Sequence, residues 1–432
     1  MHSESFRVRL AGVCGPSNVP ASTLQSMTAP DGQQAGGTRV RLAGIELSLD
    51  ELRVAPERFT GLFMKARAEF GHADCLCRPR APLRLVIRRR RDRCHLAGWP
   101  HEGHLHSTEC AWYRPDPELS GRSGYGQAAI LTTPEGTAIR IEAALDLAED
   151  ARATPVVSED GRDEPANSRR SLTLLAMLHY LWEQAGLSTL PAATAGRHWR
   201  ECHERLMEQL AETTVNGVDL ASALYVVPSF KRDRAEDNAA AFERFFDQVD
   251  SRRRRVLVLG EARDVTPTRF GIKLQLAHLR WPLFASTALH DKARMAHRTA
   301  FTDAIRQGGR RVVLCLVGRS PKGYRVVEDL AFMPTNRTYL PVESSFELAM
   351  ADALVTAGRA IVKPMTWDHH ASVLPDFVLT DTSPVTFVEV WGIRGRSSYE
   401  MRKRAKQRIY RAEGKKLIEW SVENPMPDVR AR

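Results

Sequence analysis

The sequence predicts a multi-domain α+β protein, and three observations lead to that class. A chain of 432 residues is too long for a single core. Helical periodicity is concentrated in the middle of the chain, whereas alternating apolar patterns typical of strands lie before and after it. Breaks in composition divide the chain into six predicted regions: a flexible N-terminus (1–36), a Cys/His domain (37–148), a charged linker (149–170), a helical module (171–225), a β-rich domain (226–338) and an α/β domain (339–432).

The charge of the chain favours an acidic partner. The formal net charge is +10 and the pI is about 9.4, and nucleic acid is a common partner of such basic proteins. Ten lysines among the 62 Lys and Arg residues leave 52 arginines, and heavy use of Arg raises the pI by itself. We therefore expect nucleic acid, with DNA as the first choice, and keep a merely Arg-rich composition as the alternative.

Several classes of protein are disfavoured by the sequence. The longest apolar run, "VVLCLVG" at 312–318, is far shorter than the roughly 20 residues that cross a bilayer. The first residues lack the basic start and apolar stretch of a secretory signal. Neither a P-loop nor a dinucleotide-binding glycine pattern is present. Seven cysteines, an odd number spread unevenly, do not suggest a disulfide framework, so we expect a cytoplasmic location.

A cluster of cysteine and histidine in the first domain predicts a zinc site. "HADCLC" supplies Cys75 and Cys77, and "HLHSTEC" supplies His106 and Cys110. Thiolate and imidazole are the ligands that zinc prefers, and it binds four of them in a tetrahedron. The spacing of the second pair, four residues apart, would direct both side chains at one ion. Four protein ligands leave no open position for water, so the predicted zinc is structural.

Other ligand sets and a metal-free alternative remain open at this stage. Cys94 and His95 in "RDRCHLAGWP" and His104 in "HLHSTEC" are spare candidates. Buried free thiols beside solvated histidines would produce the same composition without any metal. The clustering of four of the seven cysteines within 36 residues favours zinc.

Two amphipathic segments predict the helical module in the middle of the chain. The segment 171–187 places leucines and a tryptophan on one helical face, and 197–212 repeats that pattern. Two helices with a short connection are typical of helix-turn-helix and winged-helix modules, which bind DNA. A helical spacer without DNA contacts is the alternative.

Three acidic residues near the C-terminus occupy positions where carboxylates need a partner. Glu347 lies in the first turn of a predicted helix at 342–359, Asp376 follows a proline at the start of a strand, and Glu389 lies within the next strand. Glu389 shares one strand face with Trp391. A carboxylate on a half-buried sheet is destabilising unless it is paired or binds a cation. The positions of Asp376 and Glu389 therefore predict either paired carboxylates or a cation-binding site.

The order of these acids resembles the motif of the PD-(D/E)XK nuclease superfamily: a helix Glu, then Pro-Asp, then Glu-x-Lys on adjacent strands. The resemblance covers roughly 90 residues, from 342 to 432. It implies a restriction-endonuclease-like α/β domain and Mg²⁺-dependent cleavage of DNA phosphodiesters. It further implies that Asp376 and Glu389 hold the magnesium, with Glu347 as a direct or water-mediated ligand.

The sequence departs from that motif at Trp391, which stands where the family usually has lysine. Some members draw the lysine from a neighbouring element, and the basic helix at 394–416 offers Lys406 as first choice and Lys403 as second. Lys363 is a more distant third choice. A lysine would orient or help to deprotonate the attacking water, and the basic helix would follow the DNA backbone.

The whole chain is similar to an uncharacterised family of bacterial proteins from conjugative or integrative elements, on the strength of its Cys/His segment and its "PDFVL…VEVWG" ending. The expected function is a Mg²⁺-dependent DNA endonuclease or nickase associated with mobile DNA. The alternatives are a catalytically inactive DNA-binding accessory protein, which Trp391 favours, and a scaffold that binds only proteins.

Overall fold

The computed structural model describes nine stretches of the chain and shows a mixed α+β protein. These stretches are 38–90, 93–114, 125, 128–145, 170–194, 196–250, 255–365, 374–392 and 397–430. The predicted flexible N-terminus (1–36) lies outside them, as does all of the predicted linker (149–170) except Arg170. Within the described stretches the strands form four sheets, and no helix combines the length and apolar content that a bilayer crossing needs.

The first region is an antiparallel sheet covered by two helices. Its elements are β1 (Arg39–Leu42), β2 (Ile45–Ser48), α1 (Leu49–Val54), α2 (Thr60–Glu69), β3 (Ala73–Cys75), β4 (Leu83–Arg90) and β5 (Arg93–Gly98). The strand order is β2-β1-β3-β4-β5. Ser48 precedes α1 and forms a capping box with Glu51. The Ser48 side chain accepts a hydrogen bond from the backbone of the first turn, and the Glu51 side chain accepts one from the backbone N–H of Ser48. The end of β3 places Cys75 against the apolar core of this region.

The middle region interleaves short strands with helices. Its elements are β6 (Ile130–Thr132), β7 (Thr137–Ile139), α3 (Leu174–Gln184), β8 (Thr189–Leu190), α4 (Trp199–Glu208), β9 (Thr213–Val215), β10 (Val218–Asp219) and α5 (Leu220–Ala223). The sheet order is β10-β9-β7-β6, and β7 pairs in parallel with β9. The strand pairing therefore crosses the boundary between the predicted Cys/His domain and the predicted helical module.

The third region contains a closed β-barrel. Its elements are β11 (Leu224–Val226), α6 (Ala235–Asp250), β12 (Val256–Thr268), β13 (Gly271–Leu276), β14 (Leu283–Ala285), α7 (Thr287–Ala296), α8 (Asp303–Gly308), β15 (Arg310–Arg319) and β16 (Arg325–Thr335). The order is β12-β13-β14-β16-β15, and β15 pairs back with β12, which closes the ring. Alternate residues of these strands fill the barrel interior with apolar side chains.

One wall of this barrel packs on the middle region. Leu257, Leu314 and Met333 point out of the barrel and share a core with Leu178 and Trp182 of α3. Both faces of these strands are thus buried, which explains why β15 reads as an almost unbroken apolar run.

The last region is a five-stranded sheet flanked by two helices. Its elements are α9 (Ser345–Thr356), β17 (Ile361–Val362), β18 (Phe377–Leu379), β19 (Thr386–Trp391), α10 (Ser397–Ala412) and β20 (Lys416–Ser421). The order is β20-β19-β18-β17-β8, so a strand of the middle region forms one edge. β17, β18 and β19 are antiparallel neighbours, and α10 carries the chain over to β20, which is parallel to β19. The predicted helix at 342–359 and the two predicted strands are therefore present.

Candidate functional sites

Four residues of the first region converge in the way the sequence predicts. The ligand atoms of Cys75, Cys77, His106 and Cys110 all lie within 4.8 Å of one another. The Sγ atoms of Cys75 and Cys110 are 3.5 Å apart, and Nδ1 of His106 lies 3.4 Å from Sγ of Cys77 and 3.5 Å from Sγ of Cys110. Zinc bonds of roughly 2.0–2.3 Å in a tetrahedron place ligand atoms about 3.3–3.8 Å apart. These separations fit such an ion.

The local backbone explains how the four ligands meet. Cys75 ends β3, and Cys77 follows it by two residues, while His106 follows the short 3-10 turn at Gly103–Leu105. The backbone N–H of Cys110 donates to the carbonyl oxygen of Ser107 at 2.9 Å, so this segment is a turn and not the α-helix that the four-residue spacing suggested. The spacing still brings both side chains to one point.

Burial makes this cluster a costly arrangement without a cation. Cys75 is 0% exposed and His106 is 1% exposed. A hydrogen bond from the Cys75 thiol lowers the pKa of Cys110, and the same hydrogen bond together with burial raises the pKa of Cys75, so one of the two thiols ionises before the other. The cluster therefore favours a thiolate, the form that binds metal, and it can hold a metal such as zinc. The three spare candidates, Cys94, His95 and His104, lie outside this set of four ligands.

A second cluster, here called the acid–lysine cluster, is built by the last region from Glu347, Lys363, Asp376, Glu389 and Lys406. Glu347 lies in the first turn of α9, where its N–H donates to Oγ of Ser344 at 3.0 Å. The N–H of Glu343 donates to Oε2 of Glu347 at 3.0 Å. The helix start therefore fixes the orientation of this carboxylate.

Asp376 and Glu389 are positioned by the pairing of two strands. The N–H of Asp376 donates to the carbonyl oxygen of Val388 at 3.1 Å, and the N–H of Val390 donates to Oδ2 of Asp376 at 2.6 Å. Glu389 lies between these two residues in β19 and is 1% exposed. Oδ1 of Asp376 is the oxygen that this strand pairing does not use.

Helix α10 supplies the lysine that the strand lacks. Nζ of Lys406 donates to both carboxylate oxygens of Glu389 at 2.9 Å and to the carbonyl oxygen of Leu374 at 2.6 Å. The hydroxyl of Tyr410, one turn later, donates to Oε1 of Glu389 at 2.6 Å. The sequence ranks Lys406 first by helical spacing, and the structure brings it to Glu389. Tyr410 lies on the same helical face as Lys406, and the four-residue spacing between them is the signal that points to its contact with Glu389.

Lys403 and Trp391 lie beside the cluster without joining it. Nζ of Lys403 donates to Oγ of Ser421 at 3.2 Å and lies 5.1 Å from the Trp391 ring centre. Nε1 of Trp391 donates to Oε1 of Glu419 at 2.9 Å. Among the described contacts of Lys403, none reaches Glu347, Asp376 or Glu389.

Lys363, the third choice among the lysines, pairs with Glu347 in the acid–lysine cluster. Its Nζ lies 3.0 Å from Oε2 of Glu347 and 3.7 Å from Oε1 of Glu343, and its side chain is 3% exposed. Burial lowers the pKa of Lys363, but the carboxylates of Glu343, Glu347 and Asp376 outweigh it and raise the pKa overall. A lysine within "IVKP", between buried apolar residues and a proline, is a signal that could have revealed a paired, buried ammonium group.

The acid–lysine cluster has more negative than positive groups. Burial raises the pKa of Glu347 to about 8 and that of Asp376 to about 6, and it also raises the pKa of Glu389. Lys363 and Lys406 offset these shifts only in part. Three carboxyl groups thus face two ammonium groups, and either a proton on Glu347 or a bound cation would balance the excess of acid. Among the described residues, however, the three carboxylates do not form a set whose oxygens all lie within 4.8 Å of one another.

The fold and the first cluster define a mixed α+β protein with a Cys/His site that can hold a metal such as zinc. The chain belongs to the family described as "Protein of unknown function (DUF1173)", whose family model matches residues 48–422. That range contains both clusters. No curated protein and no solved structure matches the chain.

Proposed function

We propose that the protein is a metal-dependent nuclease or nickase that hydrolyses DNA phosphodiesters. One observation carries the proposal: of the acids Glu347, Asp376 and Glu389, Glu347 pairs with the buried Lys363 and Glu389 with the half-buried Lys406, while Asp376 is tied to the strand of Glu389. This is the helix-Glu, Pro-Asp, strand-Glu order that the resemblance to PD-(D/E)XK nucleases implies, and Lys406 supplies the ammonium group that Trp391 cannot.

The residues fit Mg²⁺, because hard carboxylate oxygens are the ligands that this ion prefers. Asp376 and Glu389 would hold it, with Glu347 binding directly or through water. When bound, Mg²⁺ would lower the pKa of a water molecule and neutralise charge on the phosphate. Oδ2 of Asp376 is held by the N–H of Val390, which leaves Oδ1 for the ion.

Lys406 and Tyr410 both donate hydrogen bonds to the carboxylate of Glu389. The ammonium group and the hydroxyl together hold this carboxylate in one orientation, with three hydrogen bonds of 2.6–2.9 Å. In a DNA complex the ammonium of Lys406 would be shared between Glu389 and the scissile phosphate or the attacking water. Exposed basic residues of α10, among them Arg404 and Arg408, would contact the phosphate backbone next to the site.

The proposal is tested by incubating the pure protein with supercoiled plasmid and Mg²⁺ or Mn²⁺. We expect nicked or linear product, and we expect Asp376→Asn to reduce the rate about 100-fold or more, because several kcal/mol of charge stabilisation depend on the ion. Asp303→Asn is the matched control, since the side chain of Asp303 is 75% exposed on α8, outside the cluster. Cleavage by Asp376→Asn at the rate of the control would contradict the proposal.

A second candidate is a DNA-binding accessory protein with no catalysis. The observation in its favour is that Lys406 bonds both oxygens of Glu389, which neutralises that carboxylate without any metal. This candidate predicts DNA binding that weakens steeply with salt and no product with either ion. The plasmid assay separates the two candidates directly.

We also propose zinc as the ion of the Cys/His cluster and the cytoplasm as the compartment. The donor set of three thiols and one imidazole is typical of structural zinc. The six cysteines within the described residues are all free thiols, which fits a reducing environment.

A further inference from the structure

The barrel has a topology that the sequence did not predict. Numbered along the barrel, the strands β12, β13, β14, β15 and β16 lie in the order 1-2-3-5-4 and close back to 1. Strands 3 and 5 are parallel, the other pairs are antiparallel, and α7 and α8 connect strands 3 and 4. This is the arrangement of the five-stranded OB-fold barrel, whose second and third strands and two hairpin loops form a binding face in other proteins.

That face is the outer surface of β13 and β14, away from the wall covered by α3. Leu274 and Leu283 point into the barrel, whereas Lys273 and Phe284 alternate outward. Lys273 pairs with Phe284 on β14 and with Thr266 on β12, so the three side chains form a row across the sheet.

Aromatic rings project from the two loops that border this row. Phe270, at the turn between β12 and β13, is 86% exposed, and Tyr324, between β15 and β16, is 58% exposed. The Tyr324 ring lies 5.9 Å from the Phe284 ring in an edge-to-face contact. Gly271 has φ +154 and passes so close to β14 that a Cβ would overlap the carbonyl oxygen of Ala285. This close approach fixes Phe270 beside the sheet.

Cationic groups accompany the rings. The guanidinium of Arg269 lies 5.2 Å from the Phe270 ring centre, Lys322 is exposed in the same loop as Tyr324, and the guanidinium of Arg280 lies 5.1 Å from the Trp281 ring centre. Asp264 is the one acidic residue in the part of β12 that borders this face, and Nε of Arg263 lies 3.8 Å from its Oδ2. The face is therefore positive and aromatic together.

A groove continues this face past the end of β13. It has a volume of about 860 Å³, and its lining includes Gln275, which points to the same side of β13 as Lys273. Phe230, which is 57% exposed, and the cations Arg263 and Arg280 also line it, together with one acid, Glu236. Aromatic and cationic side chains are thus present both at the hairpin loops and along the groove.

We infer that this face binds a single strand of nucleic acid, with bases on the rings of Phe270 and Tyr324 and phosphates on Arg269, Lys273 and Lys322. Exposed rings beside cations match unpaired bases joined by phosphates, whereas the stacked bases of a duplex cannot reach such rings. The face is separate from the acid–lysine cluster, and the inference stands whether or not the protein cleaves DNA.

The test measures binding of fluorescent single-stranded oligothymidylate and oligouridylate to the full chain with no added Mg²⁺ or Mn²⁺, so that no cleavage occurs and the Cys/His cluster keeps its metal. The strands should exceed the roughly 4–16 nucleotides that one OB-fold barrel covers. We expect Phe270→Ala and Tyr324→Ala each to weaken binding roughly 5- to 100-fold, which is the range for loss of one stacked base. Lys273→Ala should reduce the salt dependence of the affinity.

Matched controls are Lys65→Ala on α2 and Phe70→Ala at the residue that follows α2, because both side chains are exposed and belong to the first region and not to the barrel. They should bind as wild type, and a labelled duplex should bind more weakly than either single strand. Because thymidylate and uridylate differ in the base methyl group as well as in the sugar, oligodeoxyuridylate, which has the same base as oligouridylate, identifies the sugar preference. Unchanged single-strand affinity in the Phe270→Ala/Tyr324→Ala double variant, or duplex binding as tight as single-strand binding, would overturn the inference. Asp376→Asn should bind normally, so failure of the nuclease proposal leaves this result intact.

Discussion

Removal of metal from the Cys/His cluster, or substitution Cys110→Ser, should unfold the first region of the protein. Cys75 and Cys110 belong to the apolar core that holds the five-stranded sheet, together with Phe63 and Trp112. Because the turn that carries His106 and Cys110 contains little regular structure, the ion would be its main link to β3. Zinc contributes roughly 10–16 kcal/mol of apparent binding free energy in small zinc domains at neutral pH. We expect loss of a large part of that stabilisation.

The measurement combines metal content with limited proteolysis. The wild-type protein should contain one zinc ion per chain, and a chelator should expose cleavage sites within the first region before the rest of the chain is digested. Cys94→Ala is the matched control, since Cys94 is buried in the same core on β5 but stands outside the cluster. It should keep its zinc. Stoichiometric zinc in purified Cys110→Ser, or a wild-type protein that binds none on reconstitution, would refute the prediction.

The Cys/His cluster was the part of the molecule most accessible from sequence, for a physical reason. Metal ligation requires particular side chains, and here each pair of ligands is local: Cys75 with Cys77, and His106 with Cys110. The four residues could be assembled without knowing the fold, although the helix expected around His106 is a turn. Whether Cys94 takes the place of one of these four metal ligands could be decided only from distances in the folded protein.

The acid–lysine cluster was partly predictable. Glu389 and Asp376 stand out because carboxylates in apolar strands require partners, and Lys406 follows from helical spacing. Lys363 gave no periodic signal, and its partner Glu347 lies on another element. Asp381, in the turn after β18, has two oxygens that accept from the buried Arg359 at 2.8 and 2.9 Å. A partner 22 residues away is not visible in a local pattern.

The sheets were the least predictable feature. β8 contains two residues, too few for an alternating pattern, yet it forms an edge of the last sheet. β7 finds its parallel partner more than seventy residues later, in β9. Closure of the barrel depends on the pairing of β12 with β15, across two intervening strands and two helices. Such pairings are decided by global packing, whereas sequence patterns report only which residues are half-buried.

Lys406→Met should abolish cleavage while leaving the binding of single strands unchanged. Methionine keeps most of the length of the side chain but removes the charge that now holds Glu389. Loss of one preorganised cation near a reacting phosphate reduces kcat by about 100- to 1,000-fold. The effect should fall on kcat and not on KM, because the many phosphate contacts of the exposed basic residues remain.

Two further variants keep this prediction interpretable. Breaking a buried ion pair destabilises a protein by about 3–5 kcal/mol, so Lys406→Met must be compared with Lys406→Met/Glu389→Gln, in which the unpaired charge is gone. Recovery of thermal stability in the double variant would show that the unpaired carboxylate destabilises Lys406→Met. Because Glu389 is itself a proposed magnesium ligand, cleavage is compared only between Lys406→Met and a variant that keeps Glu389. Lys403→Met is the matched control on the same helix, because Lys403 contacts Ser421 and the Trp391 ring. Cleavage by Lys406→Met at the rate of Lys403→Met would mean that Lys406 serves only to neutralise Glu389. The ammonium group that acts in the reaction would then have to be that of Lys363, the buried lysine of the cluster.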